Sequence, residues 1–170
     1  RMMTVEAIAD PWLPDEAVSH LGGARWVHVA PLSRSDFPAE TLAALARGRH
    51  VSLDGQGLAR VPQIGPLTLD GDYDPEVLRW VSILKLSEDE AELLVDGYDE
   101  RALARLGVKE VVVTLGSRGC IVFADGVAEL VRSHAVPARD PTGAGDAFAT
   151  AYLAARSGGA APTAAARRAA

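Results

Sequence analysis

Short runs of branched aliphatic residues recur along the chain, separated by longer stretches that are alanine-rich or carry apolar residues at helical spacing. Glu110 to Leu115 (EVVVTL) is the most strand-like run, and Arg25 to Pro31, His50 to Leu53 and Ser82 to Leu86 share its character. Pro38 to Arg47 predicts a helix with proline in its first turn and Gly48 as its stop. Asp74 predicts a cap for a helix over Pro75 to Trp80, Ser87 starts another reaching about Val95, and Asp99 to Leu106 ends at Gly107. Cys120 to Ala124 and Val127 to Arg132 flank Asp125-Gly126, which predicts a hairpin. Ala147 to Arg156 (AFATAYLAAR) is a strong helix-forming run, and Pro162 opens a second, alanine-rich one. Nearer the start, Met3 to Ile8 reads as a strand and Asp15 to Leu21 as a short helix, while Leu58 to Asp72 reads as irregular.

Strands alternating with helices predict a mostly parallel sheet covered by helices, with residues 1–170 as one α/β domain. Ligands of such sheets gather at the carboxyl ends of the strands. Ser33, Asp54, Lys85 and Gly116 each end or follow a predicted strand, which points to a single ligand-bearing edge.

Composition narrows the function classes. A formal charge of -6 without a basic run argues against a non-specific nucleic-acid binder. No apolar run approaches the length of a membrane span and no signal peptide is visible, so neither a membrane nor a secreted setting is expected. Cys120 is the only cysteine, which leaves no internal disulfide and makes a reducing, cytoplasmic compartment the expectation. The histidines (His20, His28, His50, His134) are scattered, and none is assigned a catalytic role. The opening Arg1-Met2-Met3 is not an ordinary initiation, so a fragment or a processed chain is expected.

The candidate chemistry centres on Asp140-Pro141-Thr142-Gly143-Ala144-Gly145-Asp146-Ala147-Phe148, a loop that becomes a helix. Free N–H groups of the first helical turn, together with the positive end of the helix dipole, make an anion site. Glycine at 143 and 145 leaves no side chain between those groups and a ligand. A carboxylate at Asp146 beside a phosphate cradle suits transfer of a phosphoryl group to a hydroxyl. Asp146 as a mere dipole complement, with the glycines as a mere turn, is the plainer alternative. A Rossmann fingerprint fails because Phe148 stands at its third glycine, and a Walker A loop fails because no Lys-Ser/Thr pair follows.

The whole string resembles the D-x-x-G-A-G-D signature of the ribokinase (PfkB carbohydrate kinase) family. Ser87-Glu88-Asp89-Glu90 is explained by a capping box alone, yet it is also similar to the family's N-x-x-E motif, with serine replacing asparagine. Thr114-Leu115-Gly116-Ser117-Arg118-Gly119 is similar to the family's T-x-G-x-x-G segment, and Asp54-Gly55-Gln56-Gly57 with Arg60 resembles a D-x-Q-G-x-x-R run of some members. The likeness runs from about Arg25 to Arg156 and covers only the family's C-terminal portion. The N-terminal part, with most sugar-binding residues and a lid of strands, is missing, and Gly22-Gly23 does not match the family's glycine pair.

What the resemblance implies is a ribokinase-like three-layer α/β/α fold and transfer of the γ-phosphoryl of ATP, with Mg2+, to a hydroxyl of a sugar or nucleoside. Asp146 would be the general base and also meet the acceptor, while the N–H groups of Gly143, Ala144 and Gly145 would stabilise the developing charge. Thr114, Gly116, Arg118, Gly119, Thr142 and Lys85 are the expected donor-binding residues. Arg60 is expected near the transferred phosphate, and Glu90 is expected to hold magnesium through water. A non-catalytic nucleotide-binding remnant, or a truncated relative acting through a partner, is the alternative. A homodimer is left open, because the family's dimers use the missing lid.

Overall fold

The computed structural model describes residues 3–133 and 142–170. Asp140 and Pro141, the leading residues of the glycine motif, lie outside the described residues, as does His134.

Near the start, β1 (Thr4–Val5) precedes α1 (Pro14–Ser19), and the first strand of the main sheet is β2 (Trp26–Val29). Helix α2 (Ala39–Ala46) leads to β3 (His50–Asp54), the single turn α3 (Gln56–Ala59) and the short β4 (Gly65–Pro66). Then come β5 (Ile83–Ser87), α4 (Glu88–Val95), α5 (Glu100–Ala104), β6 (Glu110–Thr114), β7 (Cys120–Ala124) and β8 (Val127–Val131). The chain closes with α6 (Ala144–Ser157) and α7 (Pro162–Ala169). The main sheet has the order β2-β3-β5-β6-β7-β8. Its first four strands are parallel, and the last two form an antiparallel hairpin along β6.

The alternation of side chains along each strand sorts the core into two layers. Leu53, Leu84, Leu86, Val111 and Val113 face Leu42 and Leu45 of α2 and Leu103 of α5. Ile83, Val112 and Val122 face the other way, toward Tyr152 of α6 and Ala165 and Ala166 of α7. Full burial of such an aliphatic side chain is worth roughly 1.5–3 kcal/mol, so truncating Leu84 or Leu86, both 0% exposed, would cost about 2–5 kcal/mol. Cys120 is buried in the α6 layer, where desolvation pushes its thiol up to about 11 and makes it inert.

Local signals explain most boundaries. Ser87 and Glu90 form the expected reciprocal cap at 3.3 and 2.8 Å. Asp125 and Gly126 both take positive φ (53° and 82°), the backbone a two-residue hairpin requires. Several expectations need correcting. The strand expected over Met3 to Ile8 shrinks to Thr4–Val5, which pairs with Gly65–Pro66 inside the segment expected to be irregular. Pro75–Trp80 is a 3-10 helix, in which Asp74 takes the Glu76 N–H. Helix α6 begins at Ala144, three residues before the helix-forming run Ala147 to Arg156, and holds Asp146 in its first turn, as the loop-to-helix reading of the motif expects.

Candidate active site

The leading end of α6 lies at the carboxyl edge of the parallel strands. Gly143, at φ 77°, turns the chain into the helix in a conformation that strains any other residue. The first intrahelical bond runs from the Ala147 N–H to Gly143 O at 2.9 Å. The N–H groups of Ala144, Gly145 and Asp146 therefore stand ahead of the helical ladder, where an anion can meet them. Asp146 is exposed beside them.

Beneath this turn, the α6 face of the sheet becomes polar. Lys85 on β5 and Asp54 on β3 are register partners and form an ion pair at 3.0 Å, with side chains 11% and 3% exposed. A side chain at Gly145 would place its Cβ 3.2 Å from Lys85 Nζ, so the ammonium sits directly under the turn that carries the free amides. On β2, His28 Nδ1 and Ser52 Oγ lie 3.2 Å apart in a hydrogen bond. Burial lowers the basicity of His28, while the charges of Asp54, Lys85 and Asp146 all reach it. Glu90 comes from the first turn of α4, against Gly55. Its Oε2 takes the Ser87 N–H, and burial raises its carboxyl above the usual carboxylate range. Among the described residues no three His, Cys, Asp or Glu side chains converge on one point. A divalent ion here would keep most of its waters, as magnesium prefers, and the exposed part of one carboxylate fits that role.

Beyond β6, Thr114, Gly116, Gly119 and Ser133 face Gly145 and Phe148 across a cleft of about 250 Å³. Gly119 is confined there: its φ is 104°, and any Cβ would collide with Val131 O. Thr114 belongs to this wall, although its hydroxyl donates to Leu86 O at 3.2 Å. Thr142 is exposed at the N-terminal approach to Gly143. The cleft therefore brings together Ala144, Gly145 and Phe148 of the glycine motif with Thr114, Gly116 and Gly119, and Lys85 lies against Gly145 outside the cleft lining.

Two expected site residues lie elsewhere. The guanidinium of Arg118 pairs with Glu88 at the start of α4, and Arg118 is not part of the cleft wall. Arg60 lines a separate groove beside Ser33 and Asp36. Conversely, Ser52 and His28 join the site without a sequence signal of their own, and Asp54, marked in the sequence only by its place at a strand end and in the Asp54–Arg60 run, joins it as the partner of Lys85. Each is an ordinary strand residue until the sheet register aligns it with the next strand. A cavity of about 670 Å³ lies at the opposite edge of the sheet near Trp26, Trp80 and Arg156. The arginines along it are engaged by Glu110, Glu76 and main-chain carbonyls, which marks it as architecture.

Residues 5–170 match the model of the pfkB family carbohydrate kinases, and the chain belongs to that family. It is 34% identical over 122 residues to a ribokinase of Mus musculus, covering 65% of this chain and 36% of that one. It is 31% identical over 144 residues to a cytidine kinase of Thermococcus kodakarensis, covering 80% of this chain and 49% of that one. A solved pyrophosphate-dependent kinase of the ribokinase family, in complex with a pyrophosphate analog and myo-inositol, superposes on 100% of this chain and 63% of its own. The TM-score is 0.81 and the identity 28%. The ribokinase-like α/β fold expected from the motifs is thus the fold observed. The chain spans between a third and two thirds of the length of these relatives.

Proposed function

We propose that this pfkB-family chain carries the phosphoryl-donor site and the catalytic base of a kinase acting on a hydroxyl of a sugar, polyol or nucleoside. One observation carries the reading: an exposed carboxylate, a set of free helix amides and a buried ammonium meet at the carboxyl edge of a parallel sheet. Asp146 accepts the proton of the attacking hydroxyl. The N–H groups of Gly143, Ala144 and Gly145 stabilise charge on the transferred group, Lys85 adds a fixed positive charge from below, and Thr142 contacts phosphate. Thr114, Gly116 and Gly119 form the wall along which the rest of the donor lies. Glu90 would hold magnesium through water, and the ion would supply charge neutralisation for the donor.

ATP is the donor we assign. Inorganic pyrophosphate is the second reading, favoured by the superposition of the whole of this chain on 63% of a pyrophosphate-dependent kinase. The myo-inositol bound in that relative and the ribokinase and cytidine kinase likenesses agree with a small polyhydroxylated acceptor. No helix among the described residues is long and apolar enough to cross a membrane, and the lone thiol is buried. Both features agree with the cytoplasmic setting we propose.

The test is calorimetric titration of the chain with ATP·Mg and, separately, with pyrophosphate, followed by phosphate-transfer assays over a panel of sugars, polyols and nucleosides. Binding and transfer with ATP are expected. Transfer from pyrophosphate alone would select the second donor, and binding without transfer would favour the non-catalytic remnant. A chain that binds neither donor would end the kinase reading.

A further inference from the structure

Lys85 keeps a charged head in the sheet interior, and its surroundings leave that head incompletely used. An ammonium has N–H groups for three acceptors. Among the described residues, Lys85 Nζ donates only to Asp54 Oδ2, at 3.0 Å. Asp54 is itself held at both oxygens, because Oδ1 takes the Gln56 N–H at 3.3 Å. The anchor is thus fixed on one side by the turn at α3 and on the other by the lysine, in a pair created by the β3–β5 register. The remaining N–H directions lie against the first turn of α6, where a Cβ on Gly145 would come within 3.2 Å of Nζ and 3.8 Å of Cε. A Cβ at 145 would press on the ammonium and make it give way by a few tenths of an ångström.

We propose that Asp54 is a positioning residue for donor binding. It acts through Lys85, holding the ammonium under Gly145 so that its unused N–H groups meet, from below, the same phosphate that the α6 amides hold from above. A side chain at residue 145 would crowd the lysine, at 3.2 Å from Nζ, as well as the ligand. This rests on the kinase reading of the site and adds to it a residue that never touches the donor. A bare charge argument predicts the opposite behaviour. A carboxylate close to a polyanion repels it, so neutralising Asp54 would tighten donor binding if charge alone mattered. Under the positioning argument, neutralising it loosens the lysine and weakens binding.

The test measures dissociation constants of ATP·Mg and of inorganic pyrophosphate for the wild-type chain, Asp54→Asn, Gly145→Ala, the double variant Asp54→Asn/Lys85→Met, and that double variant carrying Gly145→Ala. Thermal unfolding of each variant establishes that it is folded. The double variant replaces the pair by neutral groups of similar volume, which leaves no uncompensated buried charge. Charge-assisted hydrogen bonds of this kind set the scale. Asp54→Asn is expected to weaken both donors about tenfold, and the double variant about a hundredfold. Gly145→Ala is expected to weaken them about tenfold in the wild-type background, by displacing the ammonium, and by no more than about twofold once Lys85 is gone. Unchanged or tighter binding by Asp54→Asn overturns the proposal. So does a Gly145→Ala effect of equal size in both backgrounds, which decides the point even if Asp54→Asn does not fold. Failure of the wild-type chain to bind either donor instead removes the kinase reading, and this inference with it.

Discussion

Beneath the trailing end of α6, Glu110 of β6 meets Tyr152 and Arg156; beneath its leading end, Asp54 meets Lys85. A helix of 14 residues is roughly 20 Å long, so the two clusters occupy opposite edges of the same sheet face. The trailing cluster is saturated. Glu110 Oε1 accepts from the Tyr152 hydroxyl at 2.6 Å and from Arg156 Nε at 2.9 Å, while Oε2 takes an Arg156 terminal nitrogen at 2.8 Å. Arg156 gives its other terminal nitrogen to Ala160 O and lies over the Trp26 ring. The leading cluster is unsaturated, with one hydrogen bond among the described residues for an ammonium that has several to give, next to amides that the helix leaves free. A buried pair that uses all its hydrogen-bonding capacity stabilises a fold. One that holds capacity back, at the open edge of a parallel sheet, suits the ligand site we propose.

The contrast is sharpest in stability. Arg156→Met should destabilise the protein by about 3 kcal/mol, because it strands the Glu110 carboxylate in the interior, while donor affinity stays unchanged. Denaturant unfolding measures the loss, and Glu110→Gln/Arg156→Met should recover most of it; a cost below about 1 kcal/mol would mean the cluster is not the strut described here. At the other end, Asp146→Asn should lower turnover by roughly 10²-fold or more in a phosphate-transfer assay, with donor affinity nearly intact. An unchanged turnover number would reject Asp146 as the base.

A smaller effect follows from His28. Burial lowers its pKa from the ordinary 6.5, so the unfolded chain takes up the proton first as pH falls. The stability linked to neutral His28 is therefore complete above about pH 6.5 and declines as pH drops through the lower folded value. Glu90 acts with the opposite sign, since burial raises its carboxyl and favours the fold toward lower pH. Comparing the pH dependence of unfolding in wild type and His28→Gln separates the two, and identical profiles would refute the His28 contribution. The smallest change is expected for Arg118→Ala. Its partner Glu88 lies outside the donor cleft and the pair is largely exposed, so donor affinity should move by no more than about twofold. A larger loss would return Arg118 to the phosphate.

The elements and the glycine-motif helix were legible because their determinants act over a few residues. A serine caps the glutamate three positions on, an Asp-Gly pair accepts positive φ, and glycines release the first amides of a helix. Short-range rules failed where pairing partners were distant. Two-residue strands β1 and β4 stabilise each other across the chain, and neither carries a strong pattern alone. Arg118 lies within the Thr114–Gly119 segment expected to bind the donor, yet Glu88 on a separate helix takes its guanidinium.

By itself, the sequence determined the alternation of strands and helices, the loop that turns into α6 and the carboxylate in its first turn. The tertiary structure alone decided which buried charges meet. Lys85 and Asp54 are 31 residues apart yet share a hydrogen bond, and nothing near either one encodes the other. Strand register chooses cross-strand neighbours, and the two-residue period chooses the face, so a lysine reaches the underside of a glycine only when the whole sheet is in place.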